Sequence, residues 1–157
     1  LLTSSVEVAD KFLTQGSIVS TRGRSAQEDF NYQAHYGGTW RVPLVVLIDE
    51  DSASASEIFA GAIKDNGRGV IVGKTSFGKG SVQGIFPLGY AGAGIRLTTA
   101  KFFSPNGTPI SYHGVEPDVK VQAVARPIAG GLAHLNDDTD AILEAGIEAA
   151  RSKMAAR

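Results

Sequence analysis

Two short apolar runs with a helical pattern between them constrain this chain more than any other feature. Residues 44–48 (LVVLI) form a five-residue apolar block, the signature of a strand buried on both faces. In residues 54–65, Ile58, Phe59, Ala62 and Ile63 recur at 3–4 spacing, and Asn66-Gly67 is suited to stop the helix they predict. Residues 69–72 read as the next strand. A strand, a helix and a strand in that order predict parallel pairing through a right-handed crossover, and with it an α/β fold.

The 157 residues suffice for one domain with a real core. A net charge of −1 gives no electrostatic case for nucleic acid or an anionic membrane as partner. The absence of cysteine excludes a disulfide framework and a thiolate metal site. His35, His113 and His134 lie far apart, without metal-ligand spacing. No apolar run approaches the ~20 residues of a membrane span. Glu7, Asp10 and Lys11 break any signal-peptide apolar region at the start, so any address label is expected outside this chain.

Around the central unit, Thr3-Ser4-Ser5 are hydroxyls suited to cap a helix suggested by Val6, Val8, Ala9, Phe12 and Leu13. Gly16 ends that pattern, residues 17–21 read as a short strand, and residues 22–38 as loop or an irregular edge strand. Beyond Lys79 the texture is β-rich. Residues 81–88 and 95–103 read as strands about a glycine-rich turn, and Pro105-Asn106-Gly107 is a turn signal. Residues 108–112 predict a returning strand and residues 115–124 an extended segment around Pro117. After a glycine- and proline-marked connection, Asp137-Asp138 is expected to cap a helix from Thr139 to about Met154, with Ile142, Leu143 and Ile147 as its apolar stripe.

Chemistry concentrates between Asp49 and Gln83. Ser52, Ser54 and Ser56 alternate, and Ser54-Ala55-Ser56-Glu57 has the form of a capping box, with Ser54 as N-cap. The same geometry would expose a serine hydroxyl at a strand-to-helix turn, beside the first N–H groups of the helix, where an oxyanion is stabilised. From residue types alone the cap is the commoner meaning. The Gly-x-Ser-x-Gly elbow of α/β-hydrolases is absent. Lys79 lies between Gly78 and Gly80, with Phe77 before it and Ile85-Phe86 after. Burial among them would lower its pKa in the direction a general base needs, and a plain surface-turn lysine is the alternative. Residues 73–79 meet the spacing of a phosphate-binding loop, but Gly80 stands where Ser or Thr is required and a strand pattern follows instead of a helix. Nothing in their spacing supports His113 or His134 as a triad member with a serine.

SASASEIFAGAIKDNGRGVIVGKTSFGKGSVQ (52–83), followed by LTTAKFFSPNG (97–107) and GVEPDV (114–119), resembles the C-terminal processing peptidases, or tail-specific proteases, over roughly residues 1–121. The resemblance implies a crotonase/Clp-protease-like ββα core, here the C-terminal portion of a catalytic domain. Residues 1–125 would be the partial core and residues 126–157 a connection and C-terminal helix, without the family's PDZ domain and N-terminal segment. It further implies Ser54 as nucleophile, Lys79 as its base, Gln83 as the residue that holds the lysine and the Ala55 N–H as an oxyanion donor, with no cofactor. The expected substrates are proteins or peptides with unstructured apolar C-terminal tails. A bacterial envelope or periplasmic location is implied, with relatives in chloroplast lumens. The family's other oxyanion donor belongs to a loop just before the position of Leu1, so the chain alone is expected to have little activity and to self-associate through exposed apolar surface. Asp51 stands where the family usually has glycine. That charge leaves open a catalytically inactive pseudoprotease or peptide-binding module of the same fold.

Overall fold

The computed structural model describes residues 1–35, 37, 39–90, 92–122 and 140–155. In chain order these form α1 (Leu2–Asp10), β1 (Ser17–Gly23), a 3₁₀ turn (Ala26–Glu28), β2 (Phe30–Gln33), β3 (Val45–Ile48) and α2 (Ala55–Asp65). Then come β4 (Val70–Gly73), β5 (Ser81–Pro87), β6 (Gly94–Phe103), β7 (Val119–Lys120) and α3 (Ala141–Ala155). The strands make two sheets. One is antiparallel, ordered β2-β1-β6-β5; the other is parallel, ordered β3-β4-β7.

α2 is the pivot. Ile58, Ala60, Gly61, Ala62 and Ile63 are all buried, so this helix is apolar around most of its circumference, as a helix enclosed on several sides must be. It packs on α1, β1 and β4, and its side chains join Ala9, Leu13, Ile18, Val19, Ile48, Ile71, Phe102, Ile110 and Val115 in one core. It ends as the Asn66-Gly67 pair predicts. Gly67 takes φ 62°, its N–H donates to Lys64 O (2.8 Å) and the Arg68 N–H to Ile63 O (3.0 Å), the paired bonds of a Schellman motif. The crossover then delivers β4 parallel to β3, Val45 opposite Val70 and Ile48 opposite Gly73.

Several expectations need correction. α1 begins at Leu2, and Thr3, Ser4 and Ser5 lie inside it; the buried Ser5 hydroxyl donates back to Leu2 O (2.8 Å) instead of capping. β3 is an edge strand of its sheet among the described residues, with Leu47 41% exposed, so it is not buried on both faces. α3 covers part of it: a Cβ at Gly146 would stand 2.5 Å from Leu47 Cδ2, so a larger residue there would make the Leu47 side chain shift. The inward stripe of α3 is therefore Ile142 and Gly146, while Leu143 and Ile147 are each 44% exposed. Asp140 caps α3, accepting from the Ile142 and Leu143 N–H groups at 2.9 and 3.1 Å; Asp137, Asp138 and Thr139 lie outside the described residues. The expected strand at 108–112 reduces to one bridge, Phe103 to Pro109. Residues 22–38 do contain an irregular edge strand, β2, whose register against β1 shifts between Ser17 and Val19.

Candidate active site

The connection from β3 to α2 is shaped by Asp49, whose Oδ1 accepts from the N–H groups of Asp51 (3.2 Å) and Ser52 (2.9 Å) and from the Ser52 hydroxyl (2.8 Å). The chain then reaches Ser54 with φ 60° and ψ −113°. Ser54 and Tyr112 are the two non-glycine residues at positive φ among those described. Such a conformation costs of order 1–3 kcal/mol and persists only where surrounding contacts over-determine it. Here the contact is Glu57, whose Oε2 accepts from the Ser54 N–H at 2.8 Å. The Ser54 hydroxyl faces the Glu57 N–H as a capping box requires but makes no cap hydrogen bond; that N–H donates to the Ser54 carbonyl at 3.0 Å. The hydroxyl is half-buried and not consumed by the helix it heads. Ala55 is the first residue of α2, where backbone N–H groups lack intrahelical partners.

Glu57 does more than cap. It is 0% exposed, and both its oxygens are saturated. Oε1 accepts from the Ser76 hydroxyl and the Gly78 N–H, each at 2.6 Å; Oε2 accepts from the Ser54 and Lys79 N–H groups, each at 2.8 Å. The backbone nitrogens of Ser54 and Lys79 thus share one oxygen and lie within two hydrogen-bond lengths of each other. Ser76, itself buried, accepts from the Val115 N–H (2.7 Å), carrying the network into the segment before β7. The capping-box spacing pointed to one of the four bonds. The other three join residues about twenty positions apart, and no local pattern signals them; nor did any signal single out Ser76.

The glycines around Lys79 serve two purposes. Gly78 takes φ 87°, which favours glycine, and a Cβ on Gly80 would stand 2.2 Å from the Ser111 backbone nitrogen. Lys79 itself is exposed, as are Phe77, Ile85 and Phe86, so of the two readings open for the lysine the structure has the surface turn and not the apolar burial. The reason is topological: β5 is an edge strand among the described residues, and nothing described covers its outer side. Gln83 lies on β5 and is exposed; no hydrogen bond links it to Lys79 among the described residues. The β5–β6 register shifts between Val82 and Gln83, an irregularity of the kind that re-aims a side chain.

Beside the serine turn lies a cavity of about 400 Å³ between α1, β3 and α2, mostly apolar, with Val8, Val46, Ile48, Ala55 and Phe59 among its lining. Across the turn, Lys74 Nζ meets Glu50 Oε1 at 2.9 Å. That hydrogen bond holds the Glu50 carboxyl below its ordinary 4.5. Its stabilising effect is therefore present above 4.5 and lost as pH falls through the lowered folded value. Glu50→Gln is expected to melt below the parent at pH 7, and the two melts to converge well below pH 4.5; an unchanged gap at low pH would refute the pairing. His113 lies in the 110–114 turn with Nδ1 2.9 Å from Ser111 O, and His134 is outside the described residues. Among the described residues no group of His, Asp and Glu is placed to hold a metal ion.

Sequence and fold comparisons converge. The profile of Peptidase family S41 matches residues 1–121. The chain is 50% identical over 123 residues to a carboxy-terminal-processing protease of Bartonella bacilliformis, covering 78% of this chain and 28% of that protein. It is 39% identical over 148 residues to a carboxyl-terminal-processing protease of Picosynechococcus, covering 94% of this chain and 34% of the relative. Among solved structures, a photosystem II D1 C-terminal processing protease superposes with a TM-score of 0.69 at 37% identity, over 77% of this chain and 31% of that one. The chain thus spans about a third of the length of these relatives.

Proposed function

Because the chain belongs to peptidase family S41, we propose that it carries the attacking half of a serine peptidase site that cuts protein substrates near their C-termini. The observation that carries the reading is the shared oxygen of Glu57, which sets the Ser54 turn against the Lys79 loop. In this scheme neutral Lys79 takes the Ser54 proton, Ser54 Oγ attacks the scissile carbonyl, and water later hydrolyses the acyl-enzyme. The Ala55 N–H donates to the developing oxyanion. Gln83 orients the amine without favouring its charged form, as a carboxylate would. Since Lys79 is exposed, the substrate itself has to displace water from it, and the apolar cavity beside Ala55 suits a substrate with an apolar tail.

Activity is assigned to the full-length protein, since the chain spans only about a third of its relatives' length. A bacterial envelope location is part of the same proposal, although matched relatives include chloroplast proteins. The exposed Leu1 and Val8 would favour self-association of the chain when isolated. The competing reading, an inactive peptide-binding module, rests on the acidic Asp51 next to the serine ladder.

A fluorophosphonate probe separates them. Ser54 in the full-length protein is expected to be labelled stoichiometrically, and labelling to be lost in Ser54→Ala and slowed strongly in Lys79→Ala. A folded protein that binds an apolar-tailed peptide but never labels would favour the inactive module.

A further inference from the structure

Tyr112 is 94% exposed, and its backbone is held at φ 65°. A bulky residue has no intrinsic reason to sit there, and a strained residue with a solvated side chain contributes nothing to the core. Its surroundings are nevertheless closely built. The Tyr112 N–H donates to Gly78 O at 3.0 Å, and a Cβ on Gly78 would already be 3.1 Å from the Tyr112 backbone. The turn that carries Tyr112 is closed by the His113 and Gly114 N–H groups on Ile110 O (3.2 and 3.0 Å) and tied at its far end by the Ser76 N–H on Val115 O (3.1 Å). The strained residue is thus fixed against the residue before Lys79. Phe77, 67% exposed, precedes that glycine, its N–H donating to Ser52 O at 2.9 Å. Two solvent-exposed aromatics, on backbone locked by hydrogen bonds, flank the junction between the serine ladder and the lysine loop.

We propose that Tyr112, with Phe77, is a substrate-positioning pair that holds the apolar segment of a peptide across this junction. The inference rests on the Ser54–Lys79 reading and deepens it. A peptide that presents its carbonyl to Ser54 and its leaving amide to Lys79 passes the junction to which both backbones are bonded, Phe77 to Ser52 and Tyr112 to Gly78. A rigid aromatic there offers contact area with little side-chain entropy to lose, and covering it also removes water from beside Lys79. The contact is made alike in the bound ground state and the transition state, so it acts on KM and not on kcat.

The test is Tyr112→Gly in the full-length protein, with Tyr112→Phe as the conservative variant. Glycine accepts the positive φ, so the backbone is kept and its strain relieved: the melting temperature is expected to hold or rise. KM for an apolar-tailed peptide is expected to rise about tenfold with kcat changed less than about twofold, as loss of a buried aromatic contact implies. Tyr112→Phe should restore the parent KM, and fluorophosphonate labelling of Ser54 should be the same in all three. An unchanged KM in Tyr112→Gly overturns the proposal, and so does a fall in melting temperature without a KM effect, which would mean the ring packs on another part of the protein. If Ser54→Ala leaves cleavage intact, the Ser54–Lys79 reading itself has failed; if it abolishes cleavage while Tyr112→Gly changes nothing, only the positioning role has.

Discussion

Replacing Glu57 by alanine is expected to cost roughly 3–5 kcal/mol of folding stability, because it removes a fully buried side chain that accepts four hydrogen bonds. Four donors lose their acceptor at once: the Ser76 hydroxyl and the N–H groups of Gly78, Lys79 and Ser54. A buried donor left unsatisfied costs about 1–3 kcal/mol, so the total is below a simple sum only because water enters the space the side chain leaves. Glu57→Gln should fall between parent and alanine. One amide oxygen can serve one pair of donors, but the amide NH₂ must then face the other pair. Chemical denaturation of the three proteins checks the order, and a loss below about 1 kcal/mol in Glu57→Ala would contradict the network as described. Function should fail with it, because Glu57 is the contact that holds both the strained Ser54 and the Lys79 backbone. A Glu57→Ala protein that folds well and labels normally at Ser54 would sink that account.

Ser54→Ala and Lys79→Ala are each expected to lower kcat/KM of the full-length protein by about 10⁴-fold or more. The double substitution should cost little beyond either single one, since in the proposed mechanism the nucleophile and its base act as a unit. Full activity in Lys79→Ala would remove the lysine from the mechanism. Stability should move differently. The Ser54 hydroxyl makes no cap hydrogen bond, so Ser54→Ala leaves folding within about 1 kcal/mol of the parent, and Ser54→Gly relieves a strain of about 1–3 kcal/mol against about 0.4–1 kcal/mol of added unfolded-chain entropy, a net gain in stability. A residue that can be replaced with a gain in stability and a near-total loss of activity is retained for its chemistry.

The central β-α-β unit was legible because its causes are local. Apolar blocks, 3–4 spacing and the Asn66-Gly67 stop are all written within single elements, and the structure has β3, α2, β4 and the Schellman ending where they predict. The hairpin of β5 and β6 was legible for the same reason. Errors fell where a neighbour decides. Residues 44–48 read as doubly buried because composition reports apolarity, while among the described residues β3 lies at the edge of its sheet with Leu47 41% exposed. Ser5 read as a cap because hydroxyls favour helix ends, while inside α1 it bonds back to Leu2. For Lys79 the sequence left burial beside Phe77, Ile85 and Phe86 and a plain surface turn both open, and the fold leaves all four side chains exposed.

By itself, then, the sequence determined the α/β class, the capping box at Ser54 and the glycine-framed Lys79, and its spaced blocks determined the family. These follow from spacing, turn chemistry and residue type, which act within a few positions. Only the tertiary structure decided that one buried carboxylate would join the serine turn to the lysine loop, that Ser54 and Tyr112 would both be held at positive φ, and that Tyr112 would abut the residue before Lys79. Those are consequences of long-range hydrogen bonds and close packing, and residues about twenty to sixty positions apart carry no mark of their meeting until the chain has folded.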